Sequence, residues 1–400
     1  MFNFQRDLTV SIGGTNYVAE VTEIHVESRY EVSAGISPQI EIPYATITLS
    51  TAANLQPKLP VIISVTTLAA YRNTTRWPGA VTIFRGEIDQ VNETVTPFGL
   101  RVLEVIANNP IKKLLGGKVD SLTLSSAHSP ETRARYALAA ANADNWPSTA
   151  PAVMINPLGI GSGAQMPNET LTDTQTGDMI QQALDCEAGA IVTAYWDTTA
   201  DDVFYWWPRG SYTVNTGTPA PGNTLGFSSY HANTKEHWCT TEVVTSKDTI
   251  THYNYISASL QIDPTTKINP TSYAACKNNT SIGYYGVVPL DISLNFYKPA
   301  ANPTQHLKAW VSSLNLTRPA RRVESVTAIA NMRDGYVNGY LVDPYWLMSG
   351  TGEVNVTLEK TYPGTVNKSF SVNDIYYCSG QIHDITPTSW FVRYELWKGY

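Results

Sequence analysis

Two acidic residues come closest to a catalytic arrangement in this sequence. Glu87 and Asp89 are separated by one residue in a stretch that alternates like a β-strand, so their carboxylates share a face at a spacing of about 7 Å. Carboxylate pairs at such separations hydrolyse glycosidic bonds. Acids on a solvent-facing strand give the same pattern without any chemistry. We expect the second explanation to hold, and the sequence predicts no catalytic residue and no enzyme.

Two groups of potential metal ligands occur further along the chain. They are His231, His237 and Cys239, and then Asp197, Asp201 and Asp202. The spacing of the first group matches no common zinc site, and the intervening Trp238 favours a packed strand. The acidic group lacks the glycine and the distal glutamate of an EF-hand loop. We therefore predict no metal site at either group.

Glycine-rich segments that could hold a phosphate do not have the required context. Gly159–Gly163 lies in a loop-like stretch and lacks the spacing of a nucleophile elbow. Gly116–Lys118 has neither a following Ser or Thr nor an upstream glycine at P-loop spacing. The basic doublets are Lys112–Lys113 and Arg321–Arg322. Since neither glycine segment has the context of a phosphate-binding loop, we predict no cofactor. Because duplex binding needs clustered cations, we also predict no sequence-specific nucleic-acid binding.

Three tryptophans could instead stack on a sugar ring, and they carry the alternative interpretation. Trp206 and Trp207 are adjacent in a strand-like run, with Trp196 in the run before it. Adjacent residues of a strand point to opposite faces, so at most one of the pair belongs to a core. Exposed rings would indicate a receptor- or carbohydrate-binding protein, whereas rings buried between subunits would indicate an assembly protein.

Composition favours a protein that covers much of its surface with partners. In 400 residues, charged side chains make up 15% and aromatic ones 10%, with a formal net charge of −7. Soluble domains carry roughly 25% charged residues, and interface centres are poor in charge and rich in Trp and Tyr. A β protein with a polar, uncharged surface would have a similar composition.

The compartment of synthesis and the redox state of the cysteines are predicted from motifs that the sequence does not contain. No apolar run reaches the 18 or more residues of a membrane span, and Met1–Val10 has no signal-peptide core. We expect synthesis in a cytoplasm. The four cysteines form no Cys-x-x-Cys, so thiols are the expected state, although an even count permits disulfides. They are Cys186, Cys239, Cys276 and Cys378.

The elements that would position these residues fall into three predicted parts. Residues 1–116 alternate like an antiparallel barrel or sandwich, beginning with a hairpin that turns at Gly13–Gly14. From Tyr17 onward its second strand changes its apolar face near Thr22–Glu23, which predicts a bulge or a barrel corner. Further strands are expected at Tyr44–Leu49, Val61–Thr66, Val81–Val91 and Leu100–Ala107.

The second part, residues 117–236, has an α+β pattern. A helix should follow the capping sequence at Ser129, and another should cover about Asp178–Glu187. A hairpin should join Ala190–Trp196 to Val203–Trp207. The third part, residues 237–400, returns to strands, with a loop-like Gln261–Gly283 and a helix at Pro303–Leu314. Its later strands are expected at Val323–Ile329, Glu353–Glu359, Tyr376–Ile385 and Trp390–Trp397.

One motif recurs in the first and last parts. Phe84–Val91 matches Cys378–Ile385 through a Gly-x-Ile-x-x-Val/Ile pattern centred on Gly86 and Gly380. Each copy precedes a short loop and a strand that carries Arg and Glu. The recurrence suggests a duplicated module, although any strand with a glycine bulge can give such a pattern.

Several of the strands and helices predicted above, together with the recurring motif, resemble segments of one known family. That family is the tail hub proteins, also called baseplate hub or minor tail proteins, of long-tailed bacteriophages. The sequence departs from the family pattern at Asn108–Pro110, where an Asp is expected. The matching stretches touch both ends and the centre of the chain. They are Pro43–Leu49, Phe84–Asp89, Leu100–Ala107, Ile111–Leu115, Asp178–Leu184, Glu187–Gly189, Val203–Arg209 and Ser379–Pro387 with Trp390.

The resemblance implies a mainly β fold with an α+β middle unit, in which two tube-forming, barrel-like modules flank an inserted domain. It also implies a homotrimer that adapts a six-fold tail tube to a three-fold tip and lines the DNA channel. The implied partners are distal tail or tube subunits, tip or fibre proteins and the tape measure. The implied location is the virion's tail tip, after synthesis in the host cytoplasm.

Overall fold

The described residues cover both ends and the centre of the chain. The computed structural model describes residues 4, 8–33, 37–66, 80–145, 153–155, 165–186, 192–196, 203–208, 224–227, 240–246, 253–260, 267–268, 277–294, 322–329, 353–361 and 369–398. Among them, no helix is long and apolar enough to cross a lipid bilayer.

The first part of the chain forms strands whose side chains alternate between a core and a second face. These strands are β1 (Leu8–Ile12), β2 (Thr15–Asn16), β3 (Val21–Ser33), β4 (Ser37–Ile40), β5 (Tyr44–Ser50), β6 (Pro60–Thr66), β7 (Ala80–Val95) and β8 (Arg101–Asn108). Alternation is expected where only one face of a sheet is buried. In β5, for example, Ala45, Ile47 and Leu49 are buried and the residues between them are half-buried.

The start of this part confirms one prediction and corrects another. The hairpin turn lies at Gly13–Gly14, where both glycines have positive φ, a conformation that glycine adopts without steric cost. The predicted start of the second strand is wrong: β3 begins at Val21 and not at Tyr17, because residues 17–20 form a turn closed by the Glu20 amide donating to the Tyr17 carbonyl. The predicted bulge is confirmed, since the register of β3 against β5 shifts between Val21 and Glu23.

The middle part mixes short helices with short strands. Its elements are α1 (Ile111–Leu115), β9 (Lys118–Leu124), α2 (Pro130–Asn145), β10 (Val153–Ile155), β11 (Glu169–Gln175), α3 (Thr176–Cys186), β12 (Val192–Trp196) and β13 (Val203–Pro208). Both predicted helices and the predicted β12–β13 hairpin are confirmed. The Ser129 hydroxyl accepts the Thr132 amide at 3.2 Å and so caps α2. Fully buried Arg133 joins α2 to Glu169 of β11 and Gln182 of α3.

The last part is mostly strand again. Its elements are β14 (Thr224–Phe227), β15 (Thr240–Ser246), β16 (Tyr255–Leu260), β17 (Lys267–Ile268), α4 (Asn279–Tyr285), β18 (Pro289–Leu294), β19 (Arg322–Ile329), β20 (Glu353–Thr361), β21 (Ser369–Ile385) and β22 (Trp390–Lys398). Helix α4 starts inside the stretch predicted as loop, where the Asn278 side chain accepts the Ser281 amide. The helix predicted at Pro303–Leu314 lies outside the described residues.

Strands from both ends of the chain form one 14-stranded sheet, ordered β15-β19-β22-β21-β3-β5-β8-β7-β6-β1-β2, with β4, β14 and β20 attached beside this path. Strands β21 and β3 join the two ends by antiparallel pairing from Gly380↔Arg29 to Ile385↔Ile24. One hydrophobic core lies beneath both ends, since Ile24 and Ile47 belong to the same buried cluster as Trp390 and Val392. The predicted fold class, mainly β with an α+β middle unit, is confirmed.

Two groups of five strands in this sheet share one topology. The first five-strand unit is β3, β5, β6, β7 and β8, in the spatial order β3-β5-β8-β7-β6. The last five-strand unit is β15, β19, β20, β21 and β22, in the spatial order β15-β19-β22-β21-β20. Numbered along the chain, both units read 1-2-5-4-3, and every pairing within them is antiparallel.

The recurring glycine motif lies in the fourth strand of each unit. Gly86 belongs to β7 and Gly380 to β21. A Cβ atom at Gly86 would lie 2.5 Å from the Asn108 carbonyl oxygen, so close packing of β7 on the end of β8 requires glycine there. The bulges differ, because β21 shifts register between Cys378 and Gly380 whereas β7 shifts between Ile88 and Gln90.

Candidate functional site

The paired carboxylates of β7 are neutralised by the lysine doublet of α1. Glu87 forms an ion pair with Lys113, with 2.5 Å between nitrogen and oxygen, and Asp89 forms one with Lys112 at 2.8 Å. The α1 helix places its two consecutive lysines beside β7, so each acid has its own cation. This arrangement anchors α1 to the sheet.

The glycines at Gly116 and Gly117 end a helix and do not form a phosphate loop. The Gly116 amide donates to the Lys112 carbonyl at 3.1 Å, which closes the last turn of α1. The buried Thr176 hydroxyl at the start of α3 donates to the Gly117 carbonyl at 3.1 Å. Lys118 forms an ion pair with Asp173 across β9 and β11. The Gly116 amide and the Gly117 carbonyl are thus both hydrogen-bonded within the protein, and the segment connects α1 to β9.

Several candidate residues lie outside the described residues. They are His231, His237, Cys239, Asp197, Asp201, Asp202, Arg321 and Gly159–Gly163. Trp196, Trp206 and Trp207 belong to the described backbone of β12 and β13, where Ala194 pairs with Trp206, but their side chains are outside the description. Within the described part of the chain, no three His, Cys, Asp or Glu side chains cluster as metal ligands. Cys186 is buried, with its Sγ 3.8 Å from the Gln165 carbonyl oxygen.

The most developed polar cluster lies where β3 meets β21, on the face turned away from the core. Cross-strand partners His25 and Asp384 form an ion pair in which His25 Nδ1 donates to Asp384 Oδ1 at 2.7 Å. Glu27 lies 3.5 Å from the other imidazole nitrogen and accepts a hydrogen bond from the Tyr44 hydroxyl at 2.8 Å. Three strands, β21, β3 and β5, therefore meet in one hydrogen-bonded group.

Charge pairing favours the protonated form of His25. Its hydrogen bond to Asp384 raises the pKa of His25 above the ordinary value of 6.5, against an opposing effect of burial. The same hydrogen bond lowers the pKa of Asp384 below its ordinary value. The pair is a charge-assisted link between strands that are more than 350 residues apart in sequence.

A second histidine lies on the core face of the same pair of strands. The Trp390 indole N–H donates to His383 Nδ1 at 3.3 Å, so Nδ1 must carry a lone pair. The Nε2–H group then donates to the Gln381 side-chain oxygen at 3.3 Å. Burial lowers the pKa of His383 to about 3, so the imidazole is neutral at physiological pH. His383 is thus a buried hydrogen-bonding partner of Trp390 and Gln381.

Sequence reasoning did not identify His25 or its partners. Single polar residues on a strand carry no local motif, and the contact depends on a pairing between the two ends of the chain. One sequence feature relates to the position of His25, namely the change of apolar face at Thr22–Glu23. It places the side chains of His25 and Glu27 on the face of β3 turned away from the core. The cluster links the two ends of the chain through hydrogen bonds and charge.

On the face of the sheet opposite the core, most of the charged side chains that the structure describes are acidic. Its residues alternate with core residues and share rows set by the strand register. Among the described side chains of the two units, the cations of this face are His25, Arg85 and Arg393. The described carboxylates of the face are Glu23, Glu27, Glu87, Glu104, Glu242, Asp384 and Glu395. Among the described residues, acids thus outnumber bases on this face.

Comparisons with known proteins give similarity at the level of the fold. No protein-family model matches the sequence, and neither does any curated protein. The crystal structure of the tail protein from Neisseria meningitidis MC58 matches with a TM-score of 0.61 and 11% identity, over 98% of this chain and 95% of that chain. The 43 kDa tail protein of prophage MuSo2 from Shewanella oneidensis matches with a TM-score of 0.57 and 9% identity, over 98% of both chains. The expectation drawn from the resemblance is confirmed at this level: the chain has the fold of phage tail proteins.

Proposed function

We propose that the chain is a structural hub of a phage tail tip, in which three copies form a ring around the tail axis. The observation that carries the proposal is the repetition of the 1-2-5-4-3 strand order side by side in one sheet. The two units would be the two barrel-like modules of the chain, within residues 1–116 and 237–400, and residues 117–236 would form the inserted domain.

The duplication supplies the symmetry that an adaptor needs. Three chains with two equivalent units each present six units around an axis, whereas the rest of each chain is present three times. Closed cyclic assemblies require matching interfaces at each ring. Such a ring would contact a six-fold tail tube on one side and a three-fold tip on the other.

The charge of the sheet supports a channel for DNA. The acidic face described above would line the ring, since the opposite face is the hydrophobic core. DNA passes such a surface without being held, because retention requires clustered cations on the phosphates. The Lys112–Lys113 doublet is unsuited to hold phosphate, as both ammonium groups are paired with carboxylates.

The proposed partners follow from this position. They are further copies of the chain, distal tail or tube subunits, tip or fibre proteins, and the tape measure. The protein would act through geometry and without catalysis, as a component of the virion made in the host cytoplasm. The two matched structures are tail proteins, which supports this class of function.

Electron cryomicroscopy of the particle that carries this chain tests the proposal. We expect three copies around the tail axis, with six five-strand units in one ring and the acidic face turned to the lumen. Six copies in the ring would contradict the proposed adaptor. A peripheral position with exposed β12–β13 tryptophans would instead favour the receptor- or carbohydrate-binding alternative.

A further inference from the structure

The turn between β7 and β8 presents a group of apolar side chains to solvent. Phe98 is 97% exposed, and Val95 and Leu100 on either side of it are 61% and 52% exposed. No charged residue lies within Val95–Leu100, the segment that we call the apolar tip. Single exposed apolar residues are ordinary on protein surfaces, whereas apolar residues that lie together on a protruding turn indicate an interaction site.

Hydrogen bonds within the turn hold the apolar tip in one conformation. The Thr96 amide donates to the Leu100 carbonyl at 2.8 Å, and the Leu100 amide donates to the Thr96 hydroxyl at 3.1 Å. Gly99 has a φ of 77°, which closes the turn in a conformation that glycine adopts without steric cost. Because a preordered side chain loses little conformational entropy on binding, Phe98 is suited to enter a pocket on a partner.

The charged residues next to the apolar tip are paired with each other. Arg101 donates to both carboxylate oxygens of Glu93 across the hairpin, at 2.7 and 2.9 Å. Its remaining nitrogen donates to the carbonyls of Ala52–Ala53, each at 2.9 Å, which fixes the base of the hairpin to the neighbouring loop. The ion pair therefore offers no free charge to a ligand, and the partner that fits the apolar tip is an uncharged, apolar pocket.

The corresponding hairpin of the last five-strand unit is shorter. When the two glycine motifs are aligned, Val91 corresponds to Ile385, the last residue of β21. Strand β7 continues beyond that point through Asn92–Val95, which adds about 13 Å at the spacing of a strand. The β21–β22 turn, residues 386–389, contains no aromatic and no branched aliphatic residue. The apolar tip is thus a feature of the first unit that its counterpart in the last unit does not share.

Both turns lie on one rim of the sheet. Strands β7 and β21 run in the same direction, because four successive antiparallel pairings separate them through β8, β5 and β3. Their C-terminal ends therefore point to the same rim, which we call the hairpin rim. Strand β8 runs the opposite way and leads after Asn108 directly to α1, so the chain leaves for its middle part at the other rim. In the proposed ring, the hairpin rim would carry six turns of two lengths, and the other rim would carry three middle parts.

We infer that the hairpin rim faces the six-fold tail tube and that Phe98 enters an apolar pocket on every second subunit of the adjoining tube ring. This inference rests on the proposed function. Six turns on the rim match a ring of six subunits, but only the three long turns project far enough to enter pockets. The three tube subunits between them would meet the shorter β21–β22 turns. The contact would therefore make chemically identical tube subunits inequivalent, and it would fix the rotation of the hub relative to the tube.

Photo-cross-linking in the assembled particle tests the contact. The photoreactive residue benzoylphenylalanine replaces Phe98 in one variant and Thr388, in the shorter turn, in the matched control; both positions are exposed. After irradiation, the Phe98 variant should form an adduct with a subunit that is present in six copies per ring, identified by mass spectrometry, and the control should form much less of it. An adduct with any other protein, or no adduct, in particles whose micrographs show a three-copy hub, would overturn the contact and leave the hub intact. A hub with another copy number would overturn the proposed function instead.

Substitutions of Phe98 provide a second readout. Phe98→Ser should leave the melting temperature of the purified chain unchanged, because the side chain is exposed. The same variant should lower the fraction of hubs that carry a tube by about ten-fold, as the loss of an aromatic anchor does at an interface, and Phe98→Leu should retain most of that fraction. Equal fractions for Phe98→Ser and the wild type would overturn the inference. Binding of the wild-type chain to phosphatidylcholine vesicles, lost in Phe98→Ser, would overturn it in favour of a lipid surface.

Discussion

The two faces of the β21–β3 junction each carry one histidine, and their surroundings act on these histidines in opposite ways. His383 on the core face is buried beside Trp390, and its pKa falls to about 3. His25 on the outer face is half-exposed beside Asp384, and its pKa rises above 6.5. The two residues are on paired strands, one position apart in register. Strand alternation alone therefore decides whether desolvation or charge pairing controls each imidazole.

The largest change in the free energy of unfolding is expected from a substitution on the core face of the sheet. Trp390→Ala should lower the free energy of unfolding by about 3–5 kcal/mol, because it removes a large side chain that is 1% exposed and leaves a cavity. Chemical denaturation measures the change. Phe391→Ala is the matched control, since Phe391 follows directly and faces the other side of the sheet, half-buried. Equal losses for both variants would contradict the assignment of the core to one face.

The second-largest expected effect concerns how the free energy of unfolding falls in acid, which depends on His383. The unfolded chain takes up a proton near pH 6.5, whereas the folded His383 does so only near its pKa of about 3. Neutral His383 therefore makes its full contribution to the free energy of unfolding above pH 6.5. This contribution is lost as the pH falls toward 3, by on the order of a few kcal/mol. His383→Asn keeps an acceptor for the Trp390 indole but does not titrate. Unfolding free energies measured across this pH range should show a flatter acid slope for the variant.

His25 provides the opposite control for that experiment. Its raised pKa gives stability that is present below pH 6.5 and is lost as the pH rises through the folded-state pKa. Above pH 6.5, His25→Asn should therefore make the slope of stability against pH more positive, whereas below pH 6.5 His383→Asn should make that slope less positive. Slopes that change in the same direction for both variants would contradict the contrast between the two faces.

A smaller effect is expected from the hydrogen bond that links β5 to the junction. Tyr44→Phe removes the hydroxyl that donates to Glu27 at 2.8 Å, and it should lower the free energy of unfolding by about 0.5–1.5 kcal/mol. Tyr136→Phe on the exposed side of α2 is the control and should leave stability unchanged. A Tyr44→Phe variant as stable as the wild type would show that water replaces this contact at no cost.

The smallest effect belongs to the half-exposed ion pair. Asp384→Asn should lower the free energy of unfolding by about 0.2–1 kcal/mol, because solvent screens a pair at the surface. The loss should be largest between pH 3.8 and 6.5, where Asp384 is ionised and His25 is protonated. Titration of His25 by NMR should show its pKa moving down toward 6.5 in the variant. An unchanged His25 pKa would contradict the cross-strand pair.

Local sequence patterns predicted most of the elements. The strands around Tyr44–Leu49 and Trp390–Trp397, the capped helix after Ser129 and the bulge at Thr22–Glu23 are confirmed within a few residues. These features depend on alternation and capping, which act over a few neighbouring residues. The turn at residues 17–20 was missed because apolar alternation continues through it, and α4 was missed because its polar sequence has no apolar period.

Chemistry was predicted less completely than structure. Glu87 and Asp89 were expected to be plain surface acids, and the structure shows them as the anchors of the α1 lysines. The sequence contained both partners, Lys112 and Lys113, but nothing in their spacing relates them to β7 across more than twenty residues. The bulge between Ile88 and Gln90 displaces Asp89 from the simple alternation used for the prediction.

The sequence by itself determined the β character, the mixed middle part and the recurrence of the motif around Gly86 and Gly380. These are properties of neighbouring residues, and backbone sterics with side-chain periodicity are sufficient to specify them. Only the tertiary structure decided that β3 and β21 pair, that both units share one strand order, and that His25 meets Asp384. Pairing between distant strands is selected by burial of a common core, and that selection acts only once the whole chain has folded.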